Sequence, residues 1–159
     1  MSNGLTEAFV EVLALSGSHL AHTEWEIDAI VWLAAHDQAV MGLGMVGFDV
    51  ADLSWTADHL ANEKAFLFRV IDGASMRYAW DRLSYEPYIE WLFPRLEAFR
   101  RLIDALTVEE VRPRSGRDDW GLLRHDRARC PRHEVYLHAA GCIVCNHGHL
   151  SPVAVASAG

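Results

Sequence analysis

All three cysteines of the chain, Cys130, Cys142 and Cys145, fall within one stretch of sixteen residues in a sequence of 159. Three thiols cannot pair among themselves without a remainder. The opening residues, Met1 to Glu7, also lack the basic start and apolar run of a secretory leader. A disulfide framework is therefore not expected, and a soluble cytoplasmic protein is. Metal ligation is what the spacing suits. In CPRHEVYLHAAGCIVCN, two residues separate Cys130 from His133, two separate Cys142 from Cys145, and eight lie between the pairs. Two intervening residues let a tight turn aim both side chains at one ion while its backbone N–H groups face the thiolates.

The residues around the pairs have the turn chemistry this requires. Pro131 fixes φ after the first ligand, Gly141 precedes the second pair, and Asn146 follows it at a position where left-handed backbone is common. Glu134 to His138 is β-branched and aromatic enough for a short β-hairpin that turns back at Ala139, Ala140 and Gly141. The layout resembles a zinc ribbon or treble-clef knuckle, with Cys130, His133, Cys142 and Cys145 at the four ligand positions. Three thiolates and one imidazole leave no open coordination place, so the expected cofactor is a structural Zn2+. His125, His138, His147 and His149 are the alternatives to His133 as fourth ligand.

Upstream, the pattern is helical, and the expected fold is mainly α: a bundle of about four helices followed by the small knuckle. The first helix runs from Thr6 to Leu15, with Gly17 as its stop. Thr23 and Glu26 have capping-box spacing and open a second helix, Glu24 to Met41. Ser54 or Thr56 caps a third that reaches Leu83. Pro87 suits the first turn of a fourth, whose apolar stripe is Trp91, Leu92, Leu96, Phe99, Leu102, Ile103 and Leu106, and Pro94 should kink or split it. Thr107 and Glu110 cap one further turn. These signals divide the chain into a bundle over 1–111, a linker over 112–121, a zinc-binding module over 122–150 and a tail over 151–159. No run of eighteen or more apolar residues occurs, so no membrane span is expected.

Charge narrows the partners. Residues 1–111 carry seven Lys or Arg against eighteen Asp or Glu, whereas 112–159 carry seven Arg against four acids. The bundle repels a phosphate backbone and favours a basic protein partner. Nucleic-acid binding is confined to the Arg-rich stretch from Arg112 to Arg132, where Asp118, Asp119 and Asp126 dilute it.

A catalytic reading must rest on the bundle, where His22, Glu26, His36, His59 and Glu63 are the candidates. His22 with Glu26, and His59 with Glu63, stand four residues apart, the spacing at which helical side chains share a face and bundles assemble metal sites. The His36-Asp37 dipeptide resembles the metal-binding pair of HD-type phosphohydrolases. Against this, Thr23 as N-cap places His22 outside the helix. The bundle has no Gly-rich phosphate loop, because Gly42, Gly44 and Gly47 lack the lysine and the leading strand. The favoured reading is a non-catalytic interaction or regulatory protein with a structural zinc. A metal-dependent enzyme and a nucleic-acid-binding zinc module are the alternatives, and the sequence does not specify an oligomeric state.

Overall fold

The computed structural model describes residues 3–36, 49–111 and 126–146. They are mostly helical, with α1 at Asn3–Leu20, α2 at Glu24–Ala34, α3 at Leu60–Ser75 and α4 at Ile89–Ala105. Short 3-10 turns lie at Val50–Asp52, Ala57–His59, Trp80–Arg82 and Val108–Glu110. Helix α1 is the centre of the bundle: it packs against α2, α3 and α4, and α3 packs against α4. Every residue from Glu7 to Ser18 is buried, as expected of a helix that is apolar nearly all round.

Gly17 does not stop α1, which continues to Leu20. A Cβ at Gly17 would lie 2.2 Å from Ile30 Cδ1, so the glycine is there to admit α2 rather than to end a helix. Its neighbours admit two more elements. Ser16 Oγ donates to Val70 O of α3 at 2.8 Å, and a Cβ on Gly73 would collide with that hydroxyl. Ser18 Oγ accepts from the backbone N–H of Tyr136 at 3.0 Å. The triplet Ser16-Gly17-Ser18 is thus a patch of small residues that three neighbours approach closely, not a junction between helices.

Helix α2 starts as its capping box predicts. Glu26 N–H donates to Thr23 Oγ1 at 3.1 Å, while Glu26 Oε1 accepts from the backbone of Thr23 and of His22. It ends at Ala34 rather than Met41, and residues 37–48 lie outside those described. Helix α3 ends at Ser75, well short of Leu83. Tyr78 N–H bonds Gly73 O and Arg77 N–H bonds Ala74 O, a Schellman closure with Arg77 left-handed at φ 64°. That position usually holds glycine, so nothing in the local sequence announces the stop.

Pro94 does not split α4, which runs through it as one element. The proline forfeits a single bond, to Glu90 O, close to the helix start. The buried stripe is Leu92, Leu96, Phe99 and Ile103, followed by Leu106; Trp91 and Leu102 instead face solvent, at 61% and 57% exposure. Thr107 and Glu110 close the further turn, with Glu110 Oε2 accepting from Thr107 N–H at 2.8 Å. The sole lysine, Lys64, donates to Asp104 O and Leu106 O, which places a cation on the free carbonyls ending α4. Among the described residues no helix is long and apolar enough to cross a membrane.

The segment 126–146 is part of the same core. Val135, Tyr136, Ile143 and Val144 are buried and belong to one apolar cluster with α1, α2, α3 and α4. The expected hairpin is absent as a pair of strands. In its place are two isolated antiparallel bridges, Arg129 with Tyr136 and His138 with Gly141, because each ligand turn interrupts pairing after one step. The linker expected over 112–121 lies outside the described residues.

Candidate metal centre

Cys130, His133, Cys142 and Cys145 converge, with their donor atoms all within 4.8 Å of one another. His133 presents Nδ1, which lies 3.7 Å from Cys130 Sγ, 3.6 Å from Cys142 Sγ and 3.3 Å from Cys145 Sγ; Cys130 and Cys145 sulfurs are 3.7 Å apart. The geometry is compatible with metal binding, and among the described residues no other group of three or more His, Cys, Asp or Glu has it.

Local backbone explains the convergence. In the first turn Glu134 N–H bonds Cys130 O and Cys130 N–H bonds Val135 O, both at 2.8 Å, with Glu134 left-handed at φ 59°. Left-handed non-glycine residues of this segment are thus Glu134 and Arg127, not Asn146. In the second, His138 and Gly141 exchange both backbone bonds across a two-residue turn, and Gly141 at φ 102° takes a conformation L residues avoid. Cys145 N–H then points at Cys142 Sγ at 3.4 Å, an N–H to thiolate contact suited to a ligated sulfur. Asn146 belongs to a last helical turn over 143–146, and its Nδ2 donates to Ala140 O at 3.1 Å.

Electrostatics divides the four donors: His133 and Cys130 are shifted toward the ligating form, Cys142 and Cys145 away from it. Burial, helped by the cationic Arg132 and Arg82, holds His133 below its ordinary pKa, so its imidazole is neutral at pH 7. Burial pushes the Cys142 thiol well up and raises Cys145 as well. Cys130 moves the other way: burial opposes the change, but the backbone N–H groups of His133 and Arg132 bring it below the usual thiol value. A cation would replace the buried protons and relieve that desolvation.

The bundle grips this centre at points the sequence did not signal. Arg82 Nη1 donates to the carbonyl of His133 at 3.1 Å, and Arg82 Nη2 pairs with Glu134 at 3.1 Å. Arg127 reaches Glu24 and Asp28 of α2 at 2.8 and 3.6 Å. Ser18 holds Tyr136, as described. All are long-range pairs between polar residues of ordinary surface type, which periodicity cannot detect.

The alternative ligands and the bundle candidates take other places. His138 is buried, with Nδ1 accepting from Ala140 N–H, and is not among the converging donors, while His125, His147 and His149 lie outside the described residues. His22 and Glu26 meet only through backbone capping. Glu63 is buried and accepts from Thr56 N–H at 2.7 Å, while His59 is exposed at the start of α3. His36 lies edge-on to Trp32 with Nδ1 donating to Trp32 O at 3.0 Å, and Asp37 lies outside the described residues.

His36 is 1% exposed, and burial lowers its pKa to about 4, against the opposing pull of its bonds to Trp32 and Leu33 and of Asp52. A base with a depressed folded pKa gives stability that is full above the unfolded value near 6.5 and is lost as pH falls from there toward 4. The expected loss is about 3 kcal/mol between pH 7.5 and pH 4. Urea midpoints of the wild type and His36→Gln over that range check it. The difference between the two chains isolates His36 from every other group that titrates in that range; equal pH slopes would remove the assignment.

A polar cluster unforeseen from the sequence lies elsewhere in the core. Glu7 and Glu11 are buried on α1, and Tyr85 donates its hydroxyl to Glu11 Oε2 at 2.5 Å. Burial, then the nearby Glu11 and Glu7, drives the Tyr85 pKa upward, so the phenol stays a donor. The available signal was two carboxylates four residues apart inside an otherwise apolar helix.

No protein-family model matches the chain, and neither a curated protein nor a solved structure is found to match it.

Proposed function

We propose that the ion is zinc, that its role is structural, and that the chain is a non-catalytic interaction protein whose acidic helical surface receives a basic partner. The observation that carries this reading is the spacing of the four donors. A tetrahedral zinc with Zn–S of about 2.3 Å and Zn–N of about 2.0–2.1 Å implies sulfur–sulfur edges of about 3.8 Å and sulfur–nitrogen edges of about 3.6 Å. The Cys130–Cys145 edge is 3.7 Å, and the edges to His133 Nδ1 run from 3.3 to 3.7 Å. Four protein donors fill such an ion, leaving no place for an activated water, and sulfur ligands select zinc over calcium or magnesium. The bundle supports the non-catalytic side, since His22, Glu26, His36, His59 and Glu63 are engaged in capping, packing or surface positions.

Elemental mass spectrometry of the purified chain tests the reading. One zinc per chain, absent from Cys142→Ser/Cys145→Ser, is the expected result. A second metal retained by the double variant would instead place a metalloenzyme site in the bundle, and a chain free of metal after zinc-supplemented expression would end the zinc reading.

A further inference from the structure

A partly open groove of about 490 Å³ lies between the Val50–Asp52 turn and the C-terminal end of α4. Its volume falls in the range of about 300–1,000 Å³ usual for binding clefts. Its apolar lining includes Leu106, Val111 and the 57% exposed Leu102. The rim is acidic, formed by Asp49, Glu109 and Glu110. Asp49 and Glu110 each commit one oxygen to a backbone N–H, of Ala51 and Thr107, which fixes the carboxylates in place. Lys64 is directed at the carbonyls of Asp104 and Leu106.

An apolar trough edged by three carboxylates is complementary to one kind of occupant. We propose that it binds an amphipathic, Lys/Arg-rich segment of a partner protein, whose apolar side chains enter beside Leu102 and Leu106 while its basic ones meet Glu109 and Glu110. The proposal rests on the interaction-protein reading above and gives that reading a place on the molecule. Phosphate-bearing surfaces, nucleic acid or anionic lipid, are repelled by the same rim. Apolar burial supplies the affinity here, and the carboxylates supply the selection of partner and the salt dependence.

The test uses the full zinc-loaded chain and three fluorescent synthetic peptides, read by anisotropy at low and high salt. One alternates Leu and Arg at helical spacing, one replaces Arg by Glu, and one replaces Leu by Ser. The expected result is binding of the first alone, weakened by salt and reduced about ten-fold or more by either Leu102→Asp or Glu109→Lys. Both substitutions fall on exposed side chains, and Glu86→Lys, on an exposed residue that does not line the groove, serves as the charge control. Equal loss in Glu86→Lys, or equal binding of the Ser peptide, would show diffuse attraction to the acidic surface; the groove would then fall while a basic partner stood. Binding of none of the peptides would overturn the groove. Self-association abolished by Leu102→Asp would assign it to a second copy of this chain.

Discussion

Removing the metal by chelation, or replacing Cys142 with Ser, is expected to unfold residues 126–146 and to lower the melting temperature of the whole chain by about 10 °C or more. Structural zinc in modules of this size contributes on the order of 10–16 kcal/mol at neutral pH, comparable with the total stability of about 5–15 kcal/mol of an ordinary domain. At a free zinc level about 1,000 times its dissociation constant, the linkage is about 4 kcal/mol, and each kcal/mol is worth about 2–4 °C in a chain this long. The segment's own regular structure is slight, two bridges and one helical turn, so its packing on the bundle depends on how the four donors are held. When it opens, the fully buried Val135 and Ile143 are released from the core. Calorimetry with and without a chelator measures the shift, and hydrogen exchange locates it. Identical melting curves, with protection over 126–146 kept, would show that the four side chains cohere without an ion.

Trp55→Ala should cost about 3–5 kcal/mol, the range for deleting a large buried aromatic. Trp55 is 1% exposed, donates Nε1–H to Val50 O at 2.7 Å, and lies 5.6 Å from the ring of Trp25. Trp25 in turn meets Phe66 edge-on at 6.3 Å and donates its own indole N–H to Ser54 O at 2.7 Å. The two indoles thus fasten the segment before α3 to α2 and α3. Trp55→Phe keeps a ring but removes the donor to Val50, and should cost less, about 1–3 kcal/mol. Urea unfolding of the two variants checks both size and order, and a Trp55→Ala loss below that of Trp55→Phe would contradict this account.

What the sequence disclosed follows the range of the physics behind each feature. The capping boxes at Thr23 and Thr107 are contacts three residues long, and both form. The four candidate metal donors are brought together by turns equally short, so Cys130, His133, Cys142 and Cys145 were visible as a set before any fold was known. The α4 stripe was found with its edges blurred, because period alone does not say which side of Leu92 and Phe99 a neighbour covers; Trp91 and Leu102 fell outside. Gly17 misled because a glycine that ends a helix and one that admits another helix are identical until the partner, Ile30, is known. The end of α3 at Arg77 was missed because a left-handed arginine costs about 1–2 kcal/mol and is not a local preference. Ser18 and Arg82, which tie the knuckle to the bundle, act across 118 and 51 residues, and no window on the sequence is that wide.

The Ser18–Tyr136 bond also sets an order of events during synthesis. A ribosome adding about 5–20 residues per second leaves several seconds between emergence of the two partners. Throughout that time α1 can gather α2, α3 and α4, yet the face of Ser18 stays uncovered until the ligands follow, the last of them Cys145. Among the described helices α1 is thus made first and enclosed last, and if the proposed zinc orders 126–146 that enclosure waits on the metal. With the proposed zinc withheld, the chain would stay a helical intermediate with that apolar flank open, the form that chaperones and proteases select.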